Sequence, residues 1–355
     1  MGELTLPPEW APQSFVVLAW PRPEGDFGPW LEAVEETYAL VARAISARQR
    51  LWIIGRDTAH IGHIQTLLAR YAAAAANIRF TAHPYHDTWV RDTLPLTVWQ
   101  RAGKATSRHV RPALVDFRFN GWGGKYPAKP DDELGARLHQ AGLFGATPYR
   151  KVEWVLEGGS VETDGLGTLL ATRGSIQNPN RNPNPQEAES VLRKALGLKR
   201  FLWLDHGRLE GDDTDGHIDT LARFCTPDTI AYQACEDPSD THYPPLQAMA
   251  KQLAGFRTPE GKPYRLLPLP LPKPVHDRQG RRLPASYVNF LLINGAVLVP
   301  QYDDSADRPA ASLLSRAFPG REIVPIPARP LIHQYGSIHC MSMHYPVNQT
   351  QARCP

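Results

Sequence analysis

The sequence has little net charge and no long apolar run. Its 355 residues include 39 Lys and Arg against 36 Asp and Glu, a formal net charge of +3. So small an excess does not predict a polyanionic partner such as nucleic acid. The first residues, MGELTLPPEWAPQ, contain no basic segment followed by an apolar run, and no later stretch is long enough to cross a bilayer. We therefore predict a soluble, cytoplasmic protein that binds neither nucleic acid nor membrane.

Cysteine is scarce, and the usual metal-binding patterns are missing. The four cysteines include no CxxC pair and no zinc-like spacing, and a chain of this length does not need disulfides to fold. No HExxH motif is present, and a calcium loop in the acidic segment fails because its first and twelfth positions are Gly211 and Ala222. No metal or organic cofactor is predicted. The cysteines are Cys225 in an apolar, structural-looking stretch, Cys235 and Cys354 in polar surroundings, and Cys340.

Predicted strands and helices alternate along the chain. Proline is abundant, with 34 residues, which predicts many turns and few long helices. Apolar residues at steps of three and four over 31–45 predict an amphipathic helix. Strands are predicted at 15–21, 51–55, 78–83, 87–99, 201–204 and 322–328, hairpins at 155–172, 217–233 and 287–302, and further helices at 59–76, from 186 and from 308.

A hairpin, a helix and a strand thus recur about every sixty residues. This period favours radial or stacked repeats over one doubly wound sheet, and about five such units fit in the chain. No composition shift divides the chain, although the proline-rich stretch 259–280 is predicted to be a mobile connection. We predict one α/β domain over residues 1–355. The oligomeric state stays open, a homo-oligomer included.

The segment GDDTDGHIDT, residues 211–220, places His217 among acidic residues. If Ile218 begins a strand, alternate side chains share a face, so His217 and Asp219 project side by side. An imidazole that can transfer protons then lies beside a carboxylate that can hold a cation. The alternative is a surface loop with an incidental histidine.

Other strand ends and turns also carry polar residues at comparable places. These are Asp92 in WVRD, Glu157 in EGGS and Cys340 in GSIHC. Because strand ends of a radial fold converge on its axis, these side chains and His217 are predicted to meet there. The alternatives are a surface ion pair with Arg91 for Asp92, a turn residue for Glu157 and a buried structural thiol for Cys340.

These candidate residues combine a thiol, an imidazole and several carboxylates. The first two with one oriented acid form a thiol nucleophile and its proton shuttle. A protease needs a single orienting acid and an oxyanion pocket, whereas this chain offers several acids and no obvious donor pocket. Because planar guanidinium pairs bidentately with carboxylate, the extra acids predict a guanidine as substrate.

Several blocks of the sequence resemble one known family, in the same order and almost end to end. The chain resembles the agmatine deiminases, which belong to the guanidino-group-modifying superfamily together with peptidylarginine and arginine deiminases. The resemblance implies a five-bladed α/β propeller (pentein) of ββαβ units, with the site on its pseudo-fivefold axis. The blocks are PPEWAPQ with LAWP, DTWVRDT, FNGWGGKYP, LEGGS, NPNRNP, GDDTDGHIDTLARF, SYVNFLLINGAVLVPQYDD and GSIHC.

The resemblance also implies a reaction and a set of site residues. The reaction is hydrolysis of agmatine to N-carbamoylputrescine and ammonia through a covalent thiouronium intermediate, without a cofactor. Peptidyl-arginine or free arginine is the alternative substrate, and a non-catalytic polyamine- or arginine-binding module is the alternative function. The implied residues are Cys340 as nucleophile, His217 as acid and base, Glu157 as its orienting partner, Asp92 and Asp219 as guanidinium clamps, and Asp213 and Trp89 at the far end of the substrate.

The sequence departs from the family pattern at three places. Leu94 stands where the family has the glycine of RDTGP, and we expect it to narrow the passage for substrate. Met-Ser-Met-His at 341–344 replaces the usual threonine and glutamines, and Gln-Ser-Phe at 13–15 replaces His-Glu-Gly. We expect the first two departures to lie near the substrate and to affect which guanidine is accepted.

Overall fold

The computed structural model describes residues 3–25, 27–101 and 110–347. Cys354, for which the sequence predicts no role, lies outside these residues. Within them the chain has a mixed α/β fold. No helix in the described ranges is both long and apolar enough to span a membrane.

The strands are short. They are β1 (Leu4–Thr5), β2 (Gln13–Ala19), β3 (Arg50–Gly55), β4 (Ile78–Ala82), β5 (Leu96–Arg101), β6 (Val110–Arg118), β7 (Tyr149–Val155), β8 (Glu162–Thr163), β9 (Thr168–Thr172), β10 (Arg200–Leu204), β11 (Ala222–Thr226), β12 (Thr229–Gln233), β13 (Arg265–Leu269), β14 (Leu291–Ile293), β15 (Ala296–Gln301), β16 (Glu322–Pro327) and β17 (Ser342–Pro346).

The helices lie between the strands, and several are single turns. They are α1 (Leu31–Ser46), α2 (Thr58–Arg70), α3 (Val90–Thr93), α4 (Gly121–Gly124), α5 (Lys129–Asp132), α6 (Leu134–Gln140), α7 (Arg173–Ile176), α8 (Ala188–Leu196), α9 (Tyr243–Gly255) and α10 (Asp307–Ala317). Turns of 3-10 helix occur at Gly28–Trp30, Ala75–Asn77, Gly158–Ser160, Pro185–Glu187, Ile218–Thr220 and Leu331–Gln334.

The strands in the described part of the chain form five separate sheets of three or four strands. Every sheet contains both antiparallel and parallel pairs, and helical crossovers such as β9–α8–β10, β12–α9–β13 and β15–α10–β16 join the parallel ones. This recurring order of hairpin, helix and strand agrees with the predicted repeat. The strand orders are β1-β5-β6-β7, β10-β9-β8, β11-β12-β13, β14-β15-β16 and β17-β2-β3-β4.

Local sequence explains several of these elements. The apolar stripe of α1 is confirmed, because Val34, Val41 and Ile45 are fully buried and the helix packs against β3 and β16. Burying each such side chain contributes about 1.5–3 kcal/mol. The hairpin of β14 and β15 turns at Asn-Gly, and Gly295 has the positive φ of +73° that such a turn requires.

Several predicted elements differ from the structure. The strand predicted at 87–99 is the helical turn α3 followed by β5, because Pro95 lies between a helix end and a strand start. The hairpin predicted at 155–172 begins only at β8, after a 3-10 turn at Gly158–Ser160. The helix predicted at 59–76 ends at Arg70.

The connection predicted at 259–280 is also wrong, since it contains strand β13, which pairs in parallel with β12. Pro268 sits within this strand at the outer edge of its sheet, where a missing N–H leaves no partner unpaired. The sequence reading missed helix α9, whose two prolines lie in its first turn and are compatible with a helix there.

Candidate active site

One cavity, with an empty volume of about 480 Å³, collects six of the seven residues that the sequence singled out. Glu157, the seventh, is fully buried and lies behind the cavity wall, in contact with His217. The residues that line the cavity are Asp87, Trp89, Asp92, Trp122, Tyr126, Asp213, Thr214, His217, Asp219, Thr220, Gln334, Tyr335, Gly336 and Cys340.

Short turns that precede strands of three different sheets carry three of the predicted site residues. Asp92 lies in α3 before β5, His217 lies just before the 3-10 turn that leads to β11, and Cys340 lies just before β17. The expectation that Ile218 begins a strand is wrong, because residues Ile218–Thr220 form a 3-10 turn. His217 and Asp219 nevertheless both line the cavity.

His217 is enclosed by carboxylates. Its Nε2 lies 3.2 Å from Glu157 Oε2, and its Nδ1 lies 3.7 Å from Asp92 Oδ1. Burial alone lowers the pKa of an imidazole, but here the charges of Asp92, Glu157 and Asp219 outweigh it and raise the pKa of His217 to about 9. At neutral pH the ring is therefore an imidazolium that can donate a proton to a leaving group.

Glu157 is held in place by a buried arginine. Arg181 Nε lies 2.8 Å from Glu157 Oε1 and 2.7 Å from its Oε2, and both side chains are buried. The same guanidinium donates to Asp215 Oδ2 at 2.7 Å and to the Thr214 carbonyl at 2.9 Å. These contacts tie Glu157 to the acidic loop beside His217, so that the carboxylate in contact with the imidazole is itself fixed.

Cys340 lies beside a carboxylate and an amide. Its Sγ is 3.5 Å from Asp219 Oδ2 and accepts a hydrogen bond from Asn289 Nδ2 at 3.2 Å. Burial, followed by the charges of Asp219 and Asp92, raises the pKa of the thiol well above its usual value. The sulfur of the protein alone is therefore protonated at neutral pH, and a cation near the two acids favours its ionisation.

Asp92 and Asp219 are both buried and face the cavity from different sheets. Asp92 accepts from the Trp122 indole N–H at 2.9 Å and from the Gly159 N–H at 2.8 Å. Burial raises the pKa of Asp92, whereas His339 and the other cations near Asp219 overcome its burial and lower the pKa of that carboxyl. Two carboxylates aimed into one cavity can grip a planar cation.

Asp213, another acidic residue, lies at a different part of the cavity wall. The Tyr126 hydroxyl donates to Asp213 Oδ2 at 2.9 Å, and burial raises the pKa of the Asp213 carboxyl. Trp89 is buried under Gly336, where a Cβ would lie 2.6 Å from its ring atoms. The absence of a side chain at Gly336 therefore leaves this ring available at the cavity wall.

The departures from the family pattern do not line the cavity. Leu94 is buried in a separate apolar cluster with Val90 and Tyr85, so it does not narrow the substrate passage as expected. Met343 belongs to that cluster too, and Met341 is fully buried in the main core. Leu94 lies at the end of α3, Met341 lies just before β17, and Met343 lies within β17. These three side chains therefore change apolar packing and not the cavity wall.

Sequence reasoning assigned no role to several residues that complete the site. Arg181 lies within the block NPNRNP and Trp122 within FNGWGGKYP. The sequence pattern therefore included both residues but did not indicate which side chains they contact. His339 stands directly before Cys340, and Asn289 stands in the block SYVNF. Their partners lie far away in the chain, and only the fold brings them together.

Among the described residues, no group of three or more His, Cys, Asp or Glu side chains could hold a metal ion. Cys225, Cys235 and Cys340 are free thiols. Cys225 is buried in β11, as predicted for a structural cysteine.

We expect Gly159→Ala to disrupt the site, because a Cβ there would lie 2.6 Å from His217 Nδ1 and 2.9 Å from Asp92 Oδ1. Such overpacking costs about 1–3 kcal/mol and displaces the imidazole from its acids. The measurements are the unfolding midpoint and the rate of the reaction proposed below. Gly62→Ala in α2 is the matched control, since nothing lies within 4 Å of its Cβ and it is expected to retain activity. Full activity of the Gly159 variant would contradict the close packing.

Comparison with known proteins gives matches along nearly the whole chain. A sequence profile described as Porphyromonas-type peptidyl-arginine deiminase matches residues 5–346. A protein from Ectopseudomonas mendocina named agmatine deiminase is 31% identical over 368 aligned residues, which cover 97% of this chain and 96% of that protein.

Solved structures are similar over the same extent. A protein from Porphyromonas gingivalis, provisionally described as an arginine deiminase, superimposes with a TM-score of 0.89 at 43% identity and covers 98% of this chain and 99% of its own. The agmatine deiminase of C. jejuni with substrate bound superimposes with a TM-score of 0.87 at 33% identity, with 97% of each chain covered.

Proposed function

We propose that this chain, which belongs to the Porphyromonas-type peptidyl-arginine deiminase family, hydrolyses agmatine to N-carbamoylputrescine and ammonia. The observation that carries the proposal is that Cys340, His217, Asp92 and Asp219 all line one cavity. Relatives and a structural neighbour named agmatine deiminase, aligned along almost the whole chain, support agmatine as the substrate.

In this proposal Asp92 and Asp219 hold the guanidinium group of the substrate. Each carboxylate pairs with N–H groups of the planar cation and fixes its central carbon relative to Cys340 Sγ. Asp219 Oδ1 is buried and has no hydrogen-bond partner among the residues that the structure describes, so it is free to accept from the substrate. The second positive charge of agmatine pairs with Asp213, while Trp89 lines the same cavity.

Substrate binding also prepares the nucleophile. The acids that raise the pKa of Cys340 are those that pair with the guanidinium. Compensating their charges with the substrate cation lowers the pKa of the thiol, and its proton is lost to solvent. The protonated His217 nearby favours the thiolate in the same sense.

The reaction then proceeds in two displacements. The thiolate forms an Sγ–C bond to give a tetrahedral adduct, and His217 gives its proton to one nitrogen. Cleavage of that C–N bond releases ammonia and leaves a covalent thiouronium on Cys340. The neutral His217 next takes a proton from water, whose oxygen attacks the same carbon. Cleavage of the C–S bond and loss of a proton leave the ureido product and restore the thiolate. Glu157 orients His217 throughout.

We further propose that the five sheets are the blades of a five-bladed α/β propeller, formed by a single domain over residues 1–355. The same strand–helix–strand order in successive sheets supports this arrangement. The site residues lie on turns before strands of three different sheets, which supports a site on the central axis of the propeller.

Ammonia release tests the function directly. The wild-type protein is incubated with agmatine, arginine and a blocked arginine peptide, and agmatine is expected to give the highest kcat/KM. Faster turnover of the peptide or of free arginine would replace agmatine by that guanidine. Binding without ammonia release from any of the three would instead indicate a non-catalytic binding module.

We expect Asp213→Asn to raise the KM for agmatine roughly tenfold while kcat changes little, because the variant loses a charge that binds the far end of the substrate. A matched control substrate is butylguanidine, which has the guanidinium but lacks the second cation. Its KM is expected to be the same for both proteins. An equal rise for the two substrates would contradict the assignment of Asp213 to the far end.

A further inference from the structure

His339 lies between two buried carboxylates and is unused by the mechanism above. Its Nδ1 is 2.7 Å from Asp219 Oδ2, and its Nε2 is 2.8 Å from Glu9 Oε1. All three side chains are buried. Because each ring nitrogen faces a carboxylate oxygen, both nitrogens act as donors when the ring is an imidazolium.

Glu9 is a fixed anion on the side away from the cavity. Arg91 Nη1 lies 3.0 Å from Glu9 Oε1, and Arg223 Nη2 pairs with Glu9 Oε2. Burial favours the neutral acid, but Arg223, His339 and Arg91 together hold the pKa of Glu9 well below its usual range. Glu9 is therefore a fixed hydrogen-bond acceptor for Nε2 of the His339 ring.

His339 in turn acts on Asp219. Burial raises the pKa of a carboxyl, yet the hydrogen bond and the charge of His339 hold the pKa of Asp219 below its usual value. His339 Nδ1 contacts Asp219 Oδ2, an oxygen that also lies 3.5 Å from Cys340 Sγ. Oδ1 is left buried and without a partner in the described structure.

We propose that His339, held by Glu9, is a positioning residue that keeps Asp219 ionised and leaves its Oδ1 free for the guanidinium. Direct contacts connect Glu9, in the N-terminal segment, through His339 to Asp219, which lies beside Cys340. The inference rests on the proposed function, because it assigns to Asp219 the role of gripping the substrate.

A purely structural role for His339 makes a different prediction. If the ring only filled space, a neutral side chain of similar shape would leave the titration of Asp219 unchanged. Six titratable or charged groups face Asp219 or His339, and all of them remain when His339 is replaced: Asp92, His217, Arg223, Cys340, Glu9 and His344.

The test replaces the imidazole of His339 by a neutral donor. His339→Asn places an amide near the position of Nδ1, and Glu9→Gln keeps an acceptor for Nε2 but removes the anion. The titration of Asp219 is followed in the full-length protein by NMR of 13C-labelled Asp carboxyls, with its signal assigned by its loss in Asp219→Asn. The pH profile of kcat/KM for agmatine is measured in parallel.

We expect the titration of Asp219 to move upward by about one to two pH units in His339→Asn, and in the same direction in Glu9→Gln. The sign follows because a carboxyl that loses a neighbouring cation protonates at higher pH. The acid limb of kcat/KM is expected to move with it, so that activity on that limb falls roughly tenfold for each unit. His344→Asn is the matched control, since His344 lies 4.0 Å from Glu9 and has a pKa lowered to about 3 by burial, and thus carries no charge to lose.

An unchanged Asp219 titration in both folded variants would overturn the proposal, as would an equal shift in His344→Asn. The NMR titration requires no turnover, which separates this inference from the proposed function. If the wild-type protein releases no ammonia but the two variants show the shift, the proposed function is overturned. His339 is then retained as the residue that sets the charge of Asp219.

Discussion

Cys340→Ser is expected to lower kcat for ammonia release by roughly 10⁴-fold or more, since a serine hydroxyl stays protonated where a thiolate must attack. The effect is large because the variant loses the covalent step itself. Asp92, Asp219 and His217 keep their places, so the variant is expected to bind agmatine with an affinity close to that of the wild type. Ammonia assay and calorimetric titration separate the two quantities.

The matched control for this variant is Cys225→Ser. Cys225 is also a buried thiol, but it lies in β11 and not at the cavity. A hydroxyl there costs stability without touching the reaction, so kcat is expected to stay within about twofold of the wild-type value. A Cys340→Ser protein that releases ammonia at the wild-type rate would refute the nucleophile.

Asp92→Asn is expected to change two measurable properties in opposite directions. Turnover falls roughly 10³-fold, because the amide cannot pair as an anion with guanidinium and because His217 loses a charge that raises its pKa. Alkylation of Cys340 by iodoacetamide in the absence of substrate becomes faster. The reason is that Asp92 is one of the charges that raise the pKa of the thiol.

Asp116→Asn controls for the loss of a buried carboxylate. Burial raises the pKa of Asp116 as it does that of Asp92, but Asp116 contacts Lys151 and Tyr149 and does not line the cavity. Neither turnover nor alkylation of Cys340 is expected to change beyond the effect of lower stability. Slower alkylation in Asp92→Asn would contradict the electrostatic account of the thiol.

Local patterns in the sequence predicted residues that lie together in the structure. His217, Asp219, Asp92 and Cys340 stand at turns before strands, and turn residues and strand residues are recognisable from short segments. The hairpin at Asn-Gly in 287–302 could be predicted for the same reason, as the structure shows at β14 and β15. In the structure these four side chains line one cavity.

The groups that tune this chemistry could not be found in that way. His339 contacts Glu9 across 330 positions of sequence, and Trp122 contacts Asp92 across 30. No local period encodes such a pairing. The expected effect of Leu94 failed for a related reason, because a neighbour in sequence of Asp92 was assumed to be its neighbour at the cavity, whereas the end of α3 turns Leu94 into the core.

Strand β17 pairs antiparallel with β2, so the last described strand completes the sheet that contains one of the first. Cys340 lies two residues before the start of β17, and Glu9 lies four residues before the start of β2. During synthesis β2 emerges before β17, the strand with which it pairs, has been made. Cys340 therefore reaches its place beside Asp219 only when a strand made late in synthesis joins one made early.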